Sequence, residues 1–433
     1  MFAKHRRVTG GFVAVATAAA LLTACSGGEA APDASIDDPN PTGTVQFWTR
    51  SVLDEWAQKV VAEFNATHEV QVEITSITDD QIPTKLSAAF RTDNVPDVIA
   101  ADPGQALPYI TSGNYMDITE QVEAYAGGAS ITGPQLESTK WDDKYWGTPA
   151  FLDASVLLYN KDLFEQAGIS GPPTNLDEML DSARKVSALG DEYYGLTLGG
   201  SCAGCLAFST MPNFWSSTGG ALIIGADLDD QKAGAADNPG LKAMLEMYKA
   251  AWAEGLIPQA AQAETGATWN KDFQAGNIGI ATGGLGSYTS APAEVKDSIG
   301  VAPLPTAEGG ISTYLGGGNF GITAKAKNPA GAWQFIQFAL AKEQQATLPE
   351  AGFSPVRSDL LDDAAFTAQY PYVVPAIEAA QTGFGVQTNY QAAIMNDATG
   401  PWLTMFQKAV FQGEVDAAIA EGQVGIQTIL DGN

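Results

Sequence analysis

The sequence predicts an α/β protein built as two lobes, and three observations predict it. The chain has 433 residues, more than one core comfortably organises. Hydrophobic residues make up 45% and charged residues only 17%, so a sizeable interior can be buried and a disordered acidic solubiliser is excluded. From residue 45 onward short apolar runs alternate with helically spaced ones, the pattern of helices laid on a mostly parallel sheet.

Val45, Gln46, Phe47 and Trp48 alternate as a first strand. Leu53, Trp56, Ala57, Val60, Val61 and Phe64 then fall at helical spacing. Val70, Val72 and Ile74 make a second strand. The run 96–101 is a buried parallel strand whose carboxyl end opens into Asp102-Pro103-Gly104, where open α/β sheets gather ligands. From about Phe151 the elements restart. Residues 155–159 read as a strand, 161–167 as a short helix stopped by Gly168, and Pro172-Pro173-Thr174 as a helix start capped by Thr174, with Asp177 in its first turn. Residues 241–252 form an amphipathic helix closed by Gly255. Residues 278–281 and 300–304 read as strands. Asn328-Pro329 opens a helix with Ala332, Phe335, Ile336, Ala339 and Leu340 on one face.

Charge limits the partners. With 50 Asp plus Glu against 22 Lys plus Arg, the formal charge is -28, which repels phosphates and argues against nucleic acid. Two histidines, His5 and His68, leave little for a His-based metal site or a Ser-His-Asp relay, so neither metal nor cofactor is expected.

The N-terminus reads as an export signal: Lys4, Arg6 and Arg7, then an apolar run over 11–22, then small residues. The run is too short for a membrane-crossing helix. Leu22-Thr23-Ala24-Cys25 resembles the lipobox of bacterial lipoproteins, which implies a signal peptide over 1–24 and a lipid on Cys25. The protein is then expected outside the cytoplasm, held at the outer face of the cell membrane. Residues 25–43, rich in Gly, Ala, Pro and Asp, read as a flexible tether. Cys202 and Cys205 have no second pair for a zinc ribbon. A redox-active Cys-x-x-Cys and a structural disulfide are both open. Because these cysteines sit among glycines rather than opening a helix, the disulfide is preferred.

A series of stretches in order resembles the extracellular solute-binding proteins of bacterial ABC importers, in the carbohydrate-binding group that is maltose-binding-protein-like. These are Pro96-Asp97-Val98-Ile99, Tyr145-Trp146-Gly147-Thr148-Pro149, the run Tyr159-Asn160-Lys161-Asp162-Leu163-Phe164, Pro172-Pro173-Thr174, the glycines after Tyr314, Asn328-Pro329, and Gly352-Phe353-Ser354-Pro355-Val356-Arg357. The resemblance implies a two-lobed periplasmic-binding-protein-like fold (type II) with a hinge and an interlobar cleft. Lobe one is expected at 44–149 plus 298–345, and lobe two at 150–297 plus 346–433. It also implies capture of a sugar or oligosaccharide, delivery to ABC permease subunits, and a monomer.

Sugars need flat aromatic platforms rimmed by polar groups. Trp48, Thr49 and Arg50 follow the first strand and are expected at the cleft rim, although Trp48 suits a core equally. Asp102 follows the third strand, where it either meets the ligand or caps the next turn. Phe151 and Asp153 lie after the hinge-like Gly147-Thr148-Pro149. Asn213 and Trp215 resemble the family's aromatic patch from lobe two, with Trp215 the first choice of stacking platform; Trp215→Ala is expected to cost about 2 kcal/mol of binding. Gly284, Ser287 and Tyr288, and Gly317, Gly318 and Asn319, lie in glycine runs that match no phosphate loop and are read as letting backbone approach a ligand or turn tightly. Trp402 resembles a late aromatic contact. Arg357 is read as structural.

A secreted hydrolase is the rival class. Carboxylates this abundant make a catalytic pair uninformative. Ser182-Ala183-Arg184-Lys185 matches Ser-x-x-Lys without a following Lys-Thr-Gly, and neither Gly-x-Ser-x-Gly nor His-Glu-x-x-His occurs. No enzyme activity is expected. The same fold carrying a non-sugar solute such as a polyamine stays open.

Overall fold

The computed structural model describes residues 35–78, 81–92, 94–125, 127–216 and 220–432. The expected signal peptide, Cys25 and the first part of the expected tether lie outside these residues. Among the described residues no helix is long and apolar enough to cross a membrane.

The main sheet has eight strands: β1 (Thr44–Arg50), β2 (Gln71–Ile77), β3 (Val98–Ala101), β4 (Thr148–Asn160), β5 (Tyr194–Leu196), β6 (Ile278–Gly284), β7 (Ile299–Ala302) and β8 (Leu315–Ile322). Their order is β2-β1-β3-β8-β4-β6-β5, with β7 also on β4. β1 runs parallel to β2 and β3, whereas β8 lies antiparallel between β3 and β4.

β4 joins the two halves of the molecule. Its residues up to Ala154 pair with β8, and from Ser155 onward it pairs with β6. Alternation along the strand sends Leu157 into the core of the C-terminal helices and Val156 and Leu158 into the core under β1 and β8. In that second core Phe47, Phe320 and Phe335 pack with ring centroids 5.1 to 6.3 Å apart.

The expected lobe boundaries do not coincide with these changes of partner. Phe151 to Ala154 still pair with β8, and pairing with β6 begins at Ser155. β7 pairs with Leu157 to Asn160 on the far half of β4, and β8 begins at Leu315 opposite Ala154. Leu152 and Ser354 exchange backbone hydrogen bonds at 2.9 and 2.8 Å, which keeps the segment around 354 beside the first sheet.

Caps explain most of the motif residues. Asn160 ends β4 and its Oδ1 accepts from the Asp162 and Leu163 N–H groups at 3.0 Å, opening the helix Lys161–Gln166. Asn328 caps Pro329–Ala339 through the Gly331 N–H. Asp97 is 3% exposed, and its carboxylate accepts from the backbone N–H of Gln46, Lys327 and Asn328 at 2.6 to 2.9 Å. That ties β1, the start of β3 and the next helix together, with the charge met by three donors. The helix Leu176–Ser187 is capped by Asn175, not by Thr174. Thr174 instead donates its N–H and hydroxyl to Glu178 at 2.8 Å, the reciprocal half of a capping arrangement.

Residues 35–43 do not hang free as a tether would. Ile36 packs on the core under β1 and β8, the Gln121 amide donates to Asp37 at 3.0 Å, and the Asn328 amide donates to the Thr42 carbonyl at 2.9 Å.

Candidate functional site

The carboxyl ends of β1 and β3, the crossing point of β4 and the start of β8 converge between the two halves. Arg50, last in β1, donates to the Gly317 carbonyl and sits 5.8 Å from the Phe151 ring centroid. Asp102 caps the helix Pro103–Thr111 by accepting from Gly104 N–H at 2.9 Å, so the capping role is met. Asp153 precedes the crossing point. A Cβ added at Gly284 would lie 2.8 Å from Asp153 Oδ1 and 3.5 Å from the Phe208 ring, which brings β6 and the helix Ala203–Thr210 against β4.

Across from these, Gln391 lies so close to Gly104 that a Cβ there would overlap its carboxamide. Its Nε2 donates to the Tyr314 hydroxyl at 2.8 Å. Desolvation pushes the Tyr314 phenol far above its ordinary range; the Asp102 charge adds to this, while the Gln391 bond and Arg50 pull the other way. Arg50, Asp102, Asp153, Gly284 and Gly317 therefore meet in one patch with Phe208, Tyr314 and Gln391. These last three carry no local sequence signal, because they reach the patch only through packing of the second half.

Several expected residues lie elsewhere. Phe151 is fully buried against Phe353 at 4.7 Å, so it supports the patch from beneath. Trp48 packs into a small cluster with Tyr109, Tyr115 and Trp146, and Thr49 is 1% exposed beneath it in the strand. Asn213 is fully buried and donates to the Pro305 carbonyl at 2.8 Å. Ser287 donates to Asn270 at 2.8 Å, and Tyr288 packs on Tyr372 at 4.4 Å. Trp402 is 0% exposed, packed between Phe214 and Phe406. Trp215 is 6% exposed and stacked on Phe384 at 4.9 Å, with one face covered.

The glycine run 316–318 is a buried strand, not a loop. Gly317 has φ +106, where a side chain would be strained and would also strike the Phe151 carbonyl; a Cβ at Gly318 would press on the Phe151 ring. These glycines let β8 lie against β4. Asn319 follows, 8% exposed, with its Oδ1 buried and unpartnered.

Cys202 and Cys205 are bonded, with Cα atoms 5.2 Å apart. Against expectation they do open a helix: Cys202 caps Ala203–Thr210. Gly266, at φ +98, packs on both sulfurs. Alkylation is expected to label Cys202 and Cys205 only after reduction, read by peptide mass mapping. Labelling without reductant would show free thiols. Closing so short a loop stabilises the fold by about 2 kcal/mol at most. Among the described residues no group of three or more His, Cys, Asp or Glu is placed to hold a metal ion.

A family sequence model described as bacterial extracellular solute-binding protein matches residues 59–373. A putative binding protein of Brucella abortus is 29% identical over 253 residues, and the chain spans 59% of that relative's length. The diacetylchitobiose binding protein DasA of Streptomyces coelicolor is 25% identical over 76% of this chain and 77% of its own. A maltooligosaccharide ABC transporter solute-binding lipoprotein of Streptococcus pneumoniae is 28% identical over 80% of each. Among solved structures, the sugar-binding protein MalE from Xanthomonas citri superposes with a TM-score of 0.79 at 19% identity, covering 89% of this chain and 97% of its own. The cyclic alpha-maltosyl-1,6-maltose binding protein from Arthrobacter globiformis reaches 0.75 at 19% identity, covering 90% and 99%. These likenesses bear out the two-lobed α/β fold.

Proposed function

The chain belongs to the bacterial extracellular solute-binding proteins, and from that premise we propose that it captures a sugar or oligosaccharide between its lobes and delivers it unaltered to an ABC permease. One observation carries the reading. The strand that joins the halves bears Asp153 at its crossing point, between the strand ends holding Arg50 and Asp102 and the opposing Phe208, Gly284 and Gln391. Asp and Gln acceptors suit sugar hydroxyls, Arg50 and Gln391 supply donors, and the Phe208 ring suits an apolar sugar face. The names of the Streptomyces and Streptococcus relatives, which cite chitobiose and maltooligosaccharide, point to the same class of solute.

A solute touching both lobes binds the closed arrangement more tightly and shifts the population toward it. Lobe one then comprises 44–154 with 315–373, and lobe two 155–314 with 374–432. The Lys342–Asp363 ion pair at 3.1 Å and the Tyr372 bond to the Pro349 carbonyl hold the segment before 373 on lobe one. We place the protein outside the cytoplasm as a monomer, anchored by a lipid on Cys25, with residues 35–43 strapped to lobe one.

The reading is tested by a thermal-shift screen against mono- and oligosaccharides. A sugar at 100 times its dissociation constant is expected to add about 2.7 kcal/mol of stability. The same sugar is expected to narrow the X-ray scattering envelope and to be recovered intact. A panel with no stabilising sugar, or release of sugar products, overturns it.

A further inference from the structure

Residues 384–391 lie where the two lobes face each other. They belong to lobe two: Phe384 stacks on Trp215 at 4.9 Å, Phe384 and Val386 sit in the core of the C-terminal helices, and Gln391 bonds to Tyr314. Opposite them, lobe one presents the short helix Gly133–Glu137 and the hairpin formed by Lys140–Trp141 and Lys144–Tyr145. That helix is fixed to lobe one, because Gln135 Nε2 donates to the Phe151 and Gly316 carbonyls at 3.3 and 3.5 Å.

Gln387 spans the gap. Its Nε2 donates to the Lys140 carbonyl at 3.0 Å and to the Glu137 carbonyl at 3.3 Å. Glu137 ends its helix, where a carbonyl lacks a partner within the helix and is free to accept from outside. The Gln387 carbonyl in turn accepts from Gln231 Nε2 at 2.6 Å, and Gln231 is 6% exposed within lobe two. A polar line therefore runs from the interior of lobe two through Gln387 to the backbone of lobe one. The chains approach closely at the same place, since a Cβ added at Gly385 would lie 3.2 Å from the Ser138 Cβ. Beside this contact a cavity of about 830 Å³ keeps the lobes apart, with Glu137, Asp142 and Asp143 on one wall and Trp215, Asp227 and Gln231 on the other. The bridge is narrow, so the loss of its central side chain is not made good by neighbours.

We propose, resting on capture between the lobes, that Gln387 is a positioning residue: it biases the protein toward the closed arrangement before any solute arrives, and so sets the affinity for every solute without touching one. A sugar needs both walls, so its measured dissociation constant is the intrinsic one divided by the fraction of protein already closed. A residue that changes this fraction multiplies all dissociation constants by one factor. A residue that meets the solute changes them unequally.

Small-angle X-ray scattering is recorded on the unliganded mature protein and on Gln387→Ala, Gln387→Glu and Gln381→Ala, the last a control at an exposed glutamine of the same lobe. Calorimetry then gives dissociation constants for three stabilising sugars of different size. Gln387→Ala is expected to enlarge the unliganded radius of gyration and to raise all three constants by the same factor, about fivefold, with a native circular dichroism spectrum. Gln387→Glu sets a carboxylate against two carbonyls and is expected to open the protein further, at about tenfold for each sugar. Gln381→Ala is expected to change neither reading, and saturating sugar to return every variant to the native radius. An unliganded radius unchanged in both Gln387 variants overturns the proposal. Losses that differ severalfold between sugars also overturn it, by making Gln387 a solute contact. Where no sugar binds, the capture reading fails, and the unliganded scattering by itself decides whether Gln387 holds the lobes together.

Discussion

Asp153→Ala is expected to weaken binding of the best sugar about 100-fold, close to 2.7 kcal/mol, while the protein stays folded. A carboxylate that accepts from two hydroxyls contributes more than a neutral group, and this one stands where both lobes are within reach: Gly284 on one side, the β8 backbone on the other. Asp153→Asn, which keeps the shape and one acceptor oxygen, is expected to lose about tenfold. Calorimetry on both variants checks this. An unchanged dissociation constant for Asp153→Ala would move the sugar away from the crossing point of β4.

Trp402→Ala is expected to destabilise the protein by about 3 to 5 kcal/mol, with sugar affinity of the folded fraction unchanged. The indole is 0% exposed, with the Phe214 and Phe406 rings at 5.9 and 6.2 Å, so truncation leaves a cavity between the C-terminal helices. Denaturant unfolding and calorimetry read the two effects separately. A small stability loss with a large affinity loss would restore Trp402 to the sugar site. Asp153 and Trp402, both expected at the sugar site, are thus tested for opposite roles.

The contrast follows from side-chain chemistry. Arg50 is a polar residue at a strand end, readable from an apolar run and its terminator, whereas Asp153 lies inside β4 and is reached from the sequence only by its place after Gly147-Thr148-Pro149. Trp48, Trp215 and Trp402 are large apolar surfaces that serve a core or a sugar face equally well, and no local pattern separates the two uses. Phe208, Tyr314 and Gln391 lie far apart in the chain, and only the packing of the second lobe brings them to one place.

The glycines show the same limit. A run of Gly316, Gly317 and Gly318 suits a loop near a ligand or a strand pressed against a neighbour. The structure selects the strand, because Phe151 and its carbonyl occupy the space a side chain would need.

What the sequence determined by itself is whatever neighbouring residues settle among themselves: the alternation of strands and helices, the helix start at Asn328-Pro329, and the lipobox-like N-terminus, whereas the state of the two cysteines stayed open. The tertiary structure alone decided where the chain passes between lobes, that β8 inserts antiparallel beside β4, and which aromatics are exposed. Those outcomes depend on surfaces meeting across hundreds of residues, and burial is a property of the surface that arrives, not of the residue that waits.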